Sequence, residues 1–317
     1  MTDIDIHTRL EAYLALREAL GLSTRARRKL LQDFVAYLKK HGDGKPIRAQ
    51  LAIDWASSTS ATCGVSRQSA RLGLARGFLV HLKASLPETE IPDKHLLAAA
   101  RRPQPYIFSA VEISFLLEKA ARVGPRGSLR PHTHQTFLGL LASTGLRPSE
   151  AAKLLISDVQ LDKQPPRLLI RQTKFQKSRW VPLHNTTAHQ LRRYAQLRRE
   201  MNYDALSDKF FVSEQGSEIK IRNLRYAFRC LVSRIGIKPR PRQRHPTLHS
   251  FRHTFAVNRL KLWYETGVDV HALLPNLSVY LGHINLAASF WYLSATPELL
   301  GAAAQLFENY GAERRYE

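Results

Sequence analysis

The chain has 317 residues, 44% of them hydrophobic and 23% charged, the proportions of a soluble globular protein with room for two domains. Its charge is unusual: 48 Lys and Arg against 26 Asp and Glu leave a net +22, a field that favours a polyanion, nucleic acid being the usual one. No low-complexity basic run, bilayer-length apolar stretch or CxxC pair occurs, which argues against a histone-like tail, a membrane span, and a zinc finger or disulfide framework.

The N-terminus, MTDIDIHTRL, is polar and acidic rather than a secretory signal, so a cytoplasmic location is expected. Residues 1–100 read as helices only. Leu10, Tyr13, Leu14 and Leu20 define the first, which Gly21 ends. Ser23 or Thr24 can cap a second helix, with Leu31, Phe34, Val35 and Leu38 on one side and Gly42 closing it. A short third follows Pro46 and buries Ile47, Leu51 and Trp55, and a fourth runs over about 66–84. The exposed faces of this four-helix bundle carry Arg25, Arg27, Arg28 and Lys29, then Arg67 and Arg71. One basic cluster is often only solvated, but two on one small bundle lean toward phosphate contacts.

Pro87, Pro92, Pro103 and Pro105 interrupt any regular element, which predicts a linker at 87–107 between a helical domain, 1–86, and a second domain, 108–317. The second part holds most of the charge excess, with 33 basic and 16 acidic residues over 101–317. Ser109 to Glu112 has the form of a capping box. A buried helix over 132–143 runs into Thr144-Gly145-Leu146-Arg147-Pro148-Ser149-Glu150, where Gly145 can end one helix and Pro148 can begin the next, over 151–155. Arg147 thus stands in a tight junction with Glu150 placed to brace it. Taken alone, this would be a surface ion pair.

Residues 167–173 and 178–183 have strand composition around a polar tip and read as a β-hairpin, with Pro182 marking an edge strand. Lys174 and Lys177 lie at the tip, and Arg179 follows. Basic helices are expected over 186–201 and 221–235, then a stiff segment carrying Arg240, Arg242 and Arg244. The stretch LHSFRHTFAVNRL, 248–260, reads as a helix with Leu248, Phe251, Phe255 and Leu260 inward. His249 and Arg252, three apart, share its other face, while His253 is expected to point away and pack. Another helix follows Asp269, then Leu281-Gly282-His283, Phe290-Trp291-Tyr292, and an amphipathic helix over 297–309.

The inventory contains no Walker loop and no paired carboxylates of the kind a two-metal nuclease needs. Guanidinium groups, imidazoles and tyrosines suit phosphoryl transfer without a metal. Two arginines can hold the non-bridging oxygens, a lysine or histidine can protonate a leaving 5′ oxygen, and a tyrosine hydroxyl can attack phosphorus.

Four segments in order, TGLRPSE at 144–150, TKFQKSRWVPL at 173–183, LHSFRHTFA at 248–256 and LGHINLAASFWY at 281–292, resemble the tyrosine recombinase (phage integrase) family, over roughly 105–295. The resemblance implies a mainly α fold with a small β-hairpin or sheet, an N-terminal four-helix core-binding domain and a catalytic domain. It implies phosphate-clamping Arg147 and Arg252, Lys174 as general acid, His249 as an acid/base assisting the tyrosine, His283 as a phosphate-bonding histidine, Tyr292 as nucleophile and Glu150 as buttress. It further implies double-stranded DNA as partner, a tetramer on DNA, other recombinases as possible co-workers, and neither metal nor other cofactor. Tyr280 and Lys177 are the alternates to Tyr292 and Lys174. The sequence departs from many relatives at Pro275-Asn276 and at Ser294, where a histidine is common. Two other readings remain: a catalytically silent DNA-binding accessory protein, and a type IB topoisomerase that relaxes DNA without a specific site.

Overall fold

Apolar residues at helical spacing build the first unit of the computed structural model, which describes residues 6–22, 24–42, 46–58, 64–94, 96, 104–125, 127–171, 178–241, 243–283, 285, 287–295 and 301. Helices α1 (Ile6–Ala19), α2 (Arg25–His41), α3 (Ala49–Ser57) and α4 (Val65–Lys83) converge on Leu10, Leu14, Phe34, Trp55, Phe78 and Leu79, each 1% exposed or less. They form a unit within Met1–Arg102, separate from a second, Pro103–Glu317.

The expected linker is structured at both ends. Glu90 N–H donates to Ile47 O (2.9 Å), its carboxylate accepts from Ala49 N–H (2.9 Å), and Arg76 donates to Pro92 O (3.1 Å), so the early part belongs to the first unit. Tyr106 and Phe108 are buried in the core of the second. Prolines exclude a helix here, but they do not stop residues 89–92 and 104–108 from packing on their own units.

The second unit is built on α5 (Ala110–Ala120), α6 (Arg130–Thr144), α7 (Pro148–Ala152), α8 (Asn185–Glu200), α9 (Ile221–Ile235) and α10 (Ser250–Glu265). Ser109 and Glu112 form the expected capping box at the start of α5. Helix α6 packs against α5, α8 and α10, and Phe108, Phe228 and Phe251 meet in edge-on and tilted ring contacts between α9 and α10, with centroids 4.8 to 6.3 Å apart. A second core holds α11 (Val270–Leu281) and α12 (Ala287–Ala295) on α10 through Val257, Leu260, Leu274, Leu277, Leu281 and Tyr292.

The sheet is antiparallel and three-stranded, in the order β1 (Val159–Gln160), β2 (Arg167–Ile170), β3 (Arg179–Pro182). Its β2–β3 register pairs Arg167 with Pro182 and Ile170 with Arg179, so Pro182 sits on an edge strand. The two-residue β1 was too short to leave an alternation in the sequence. Helix α7 ends at Ala152, short of the expected 155, and α10 begins at Ser250 rather than 248. Helix α11 runs through the exposed Pro275. The expected helix over 297–309 lies outside the described residues apart from Gly301.

Gly145 ends α6 in the left-handed region (φ +62°), its N–H bonding Leu141 O at 3.0 Å. A Cβ there would lie 2.7 Å from the Phe255 ring, so strain and crowding act together. Gly145→Ala is expected to lower unfolding stability by roughly 1–3 kcal/mol, read as a reduced urea midpoint at unchanged slope.

Candidate active site

The C-terminal turn of α11 leaves carbonyls that the helix cannot satisfy. Gly282, at φ +67°, turns the chain so that its own N–H meets Val279 O (2.9 Å) and His283 N–H meets Ser278 O (2.9 Å), a Schellman arrangement. The next three carbonyls each take an arginine from a different element. Arg179 of β3 donates to Tyr280 O (2.9 Å), Arg252 of α10 to Leu281 O (2.6 Å), and Arg147 before α7 to Gly282 O (2.7 Å). Arg252 also donates to Gly145 O (3.1 Å), so it joins two helix C-termini. Negative partial charge at such ends stabilises the cations.

Glu150 ties the cluster together. Its carboxylate accepts from Arg147 at 2.7 Å and from both terminal nitrogens of Arg179 at 3.2 and 2.8 Å. Its Oε2 also takes the Arg147 backbone N–H at 3.0 Å. Burial by itself raises the Glu150 pKa, but the bonds and charges of Arg179 and then Arg147 outweigh it and hold the carboxyl below its ordinary range. Arg252 is 1% exposed, and its pKa is lowered to about 10, first by burial and then by Arg147. Among the described residues, the cluster thus sets three guanidinium groups against one carboxylate, which bonds two of them, and this leaves it cationic and ready for an anion.

The imidazoles surround a tyrosine. Tyr292 is 2% exposed and stacks near-parallel on His283 at 6.1 Å. His283 Nδ1 bonds the Ser289 hydroxyl at 2.7 Å. The His283 pKa is pushed down to about 3, by burial first and then by Arg252 and Arg147, so the ring is neutral at pH 7. His253 Nδ1 lies 3.1 Å from the Tyr292 hydroxyl, and its ring meets His249 edge-on at 4.8 Å. His253 was expected to point away and only pack, but four residues beyond His249 a helix returns to the same side. The i+3 partner, Arg252, turns to the carbonyls instead.

Arg147, Glu150, Arg252, His283 and Tyr292 are thus brought together, and His249 is exposed beside them. Arg147 and His249 line a cleft of about 920 Å³ with Arg222, Arg225, Arg229 and Lys238. Lys174, Lys177 and Arg242 lie outside the described residues. Arg240 and Arg244 are exposed, as are Arg25, Arg27, Lys29 and Arg67 in the first unit. Arg28 instead pairs with Glu11. Two expected surface arginines are turned inward. Arg71 lies over the Trp55 ring at 4.0 Å and donates to Trp55 O (3.0 Å), and Arg179 is the cap and clamp already described. Their charge made them look like phosphate ligands, whereas long side chains reach buried carbonyls equally well. Ser289 escaped the sequence reading because a serine in an apolar helix carries no signal of its own.

The sequence matches the phage integrase family over residues 109–298. It is 37% identical over 310 residues to a putative integrase/recombinase, y4rB, of Sinorhizobium fredii, covering 96% of this chain and 98% of that one. It is 29% identical over 197 residues to the tyrosine recombinase XerC of Staphylococcus carnosus, covering 62% of this chain and 59% of that one. Among solved structures it resembles the XerH site-specific recombinase bound to a palindromic difH substrate in a post-cleavage complex, at a TM-score of 0.68 and 20% identity, over 88% of this chain and 78% of that one.

Because Arg179 and Glu150 are both nearly buried, Arg179→Ala is expected to cost roughly 3 kcal/mol or more. The Glu150 pKa is lowered on folding, so its contribution is full above the ordinary carboxylate range and is lost as pH falls through the lowered value. The difference between wild type and Arg179→Ala in urea unfolding should accordingly be largest near pH 7 and shrink toward pH 3.

Proposed function

The chain belongs to the phage integrase family, the tyrosine recombinases, and from that premise we propose that it cuts and rejoins DNA strands at specific sites through a covalent bond between Tyr292 and a 3′ phosphate. The observation that carries the assignment is the convergence of Arg147, Arg252 and His283 on one helix end, with Tyr292 stacked on His283.

In this reading the scissile phosphodiester supplies the anion that the guanidinium cluster lacks. Arg147 and Arg252 donate to its non-bridging oxygens, where charge grows as phosphorus becomes five-coordinate. Both are already oriented by the α11 turn and by Glu150, so little reorganisation accompanies the reaction. His283, neutral at pH 7, in this reading carries its proton on Nε2 and donates from there, while Nδ1 accepts from the Ser289 hydroxyl 2.7 Å away. The Tyr292 oxygen forms its bond to phosphorus as the bond to the 5′ oxygen breaks, and that oxygen takes a proton from Lys174. His249 adds an acid–base group on the cleft side. The phosphotyrosine ester keeps the bond energy for the return attack by a 5′ hydroxyl, so rejoining requires no nucleotide.

The exposed cations of α9, Arg222, Arg225 and Arg229, continue the cleft and offer phosphate contacts beyond the scissile position. DNA is the partner, and the protein works as a homo-oligomer, a tetramer in the full strand-exchange complex, since each exchange cuts and rejoins four strands.

Tyr292→Phe is expected to shift a duplex in a gel as wild type does and to form no covalent adduct with a nicked suicide substrate. An adduct of undiminished yield would remove Tyr292 from the mechanism.

A further inference from the structure

Building on the assignment of Tyr292 as nucleophile, we propose that His253 is a catalytic residue, its Nδ1 receiving the Tyr292 proton as the phenol oxygen attacks phosphorus. A phenol with its ordinary pKa of about 10 is protonated at neutral pH, so the attack needs an acceptor for that proton. His253 Nδ1 stands 3.1 Å from the hydroxyl, within the reach a general base requires before substrate arrives. His249, the imidazole the sequence favours for this task, meets the His253 ring edge-on at 4.8 Å.

The surroundings hold the pair in place. His253 is 9% exposed and Tyr292 2%, and the Trp291 ring meets both edge-on, at 5.5 and 5.3 Å. The titratable and charged groups around the pair are His249 on α10, His283 stacked on Tyr292, and Arg252, whose charge couples to the Tyr292 oxygen. The Arg252 charge favours the phenolate that develops during attack. In the forward step the Oη–P bond forms, the P–O5′ bond breaks, and the phenol proton passes to His253 Nδ1. The 5′ oxygen takes a separate proton from Lys174. Rejoining reverses both transfers, and His253 returns the proton to Tyr292.

Single-turnover adduct formation on a nicked suicide duplex, at matched gel-shift occupancy, tests this with His253→Asn and His253→Gln. The asparagine amide occupies the Nδ1 position without acting as a base. Both variants are expected to cleave roughly 10²-fold more slowly near pH 7, with the deficit shrinking as pH rises toward the phenol's ordinary pKa of about 10. A substrate with sulfur at the 5′ bridging position leaves without a proton, so it should rescue Lys174→Ala but not His253→Asn. Cleavage by His253→Asn within about threefold of wild type, a deficit independent of pH, or rescue by the sulfur substrate would each overturn the assignment. Tyr292→Phe separates the two layers. If it still forms an adduct, the nucleophile is misassigned and this inference falls with it; if it forms none while the His253 variants cleave normally, only the role of His253 is lost.

Discussion

The second unit depends on how the last turn of α11 ends. A helix terminus buried with bare carbonyls is costly, and here each carbonyl that the glycine turn does not satisfy receives a guanidinium. The three arginines come from β3, from the start of α7 and from α10, so the sheet, the α6–α7 junction and the α10–α11 pair all meet at one point. Gly282 is part of the same device. A Cβ on it would lie 2.8 Å from an Arg179 nitrogen, so closeness of approach as well as positive φ requires glycine. Hydrogen bonds to charged donors contribute about 1.5–3 kcal/mol each, which makes this turn a structural joint as well as a chemical one.

The same arrangement accounts for the electrostatics. Arg252 would be an expensive buried cation if it had no partners, and its lowered pKa records that cost. Two helix C-termini and one carboxylate offset much of it, yet the cluster remains positive. That residual charge couples structure to function. In the proposed reaction, a phosphodiester entering from the cleft would relieve the repulsion between Arg147 and Arg252. His283 is kept neutral first by its burial and then by the same field, because a second proton so close to the arginines is unfavourable.

Much of this was legible in the sequence. Gly145 and Pro148 marked the α6–α7 junction, the capping box marked α5, and Pro182 marked an edge strand. Arg147, Glu150, Arg252, His283 and Tyr292 could be singled out because four motifs occur in order, not because any one of them was decisive alone. What stayed hidden was direction. Arg179 and Arg71 have the composition of surface cations but turn inward to carbonyls, and a helix wheel read at i+3 missed His253 at i+4. Short elements were the other gap: β1 is too brief for a period, and α12 is apolar on every side, so its helical character and the Ser289 contact emerge only from packing.

The central claim is that the arginine-clamped turn presents a phosphodiester to Tyr292. The most direct measurement is to trap the protein on a nicked suicide duplex, digest it, and locate the nucleotide-bearing peptide by mass spectrometry. The adduct is expected on Tyr292. An adduct on any other residue, above all on Tyr280, whose hydroxyl burial pushes its pKa up to about 12, would contradict it.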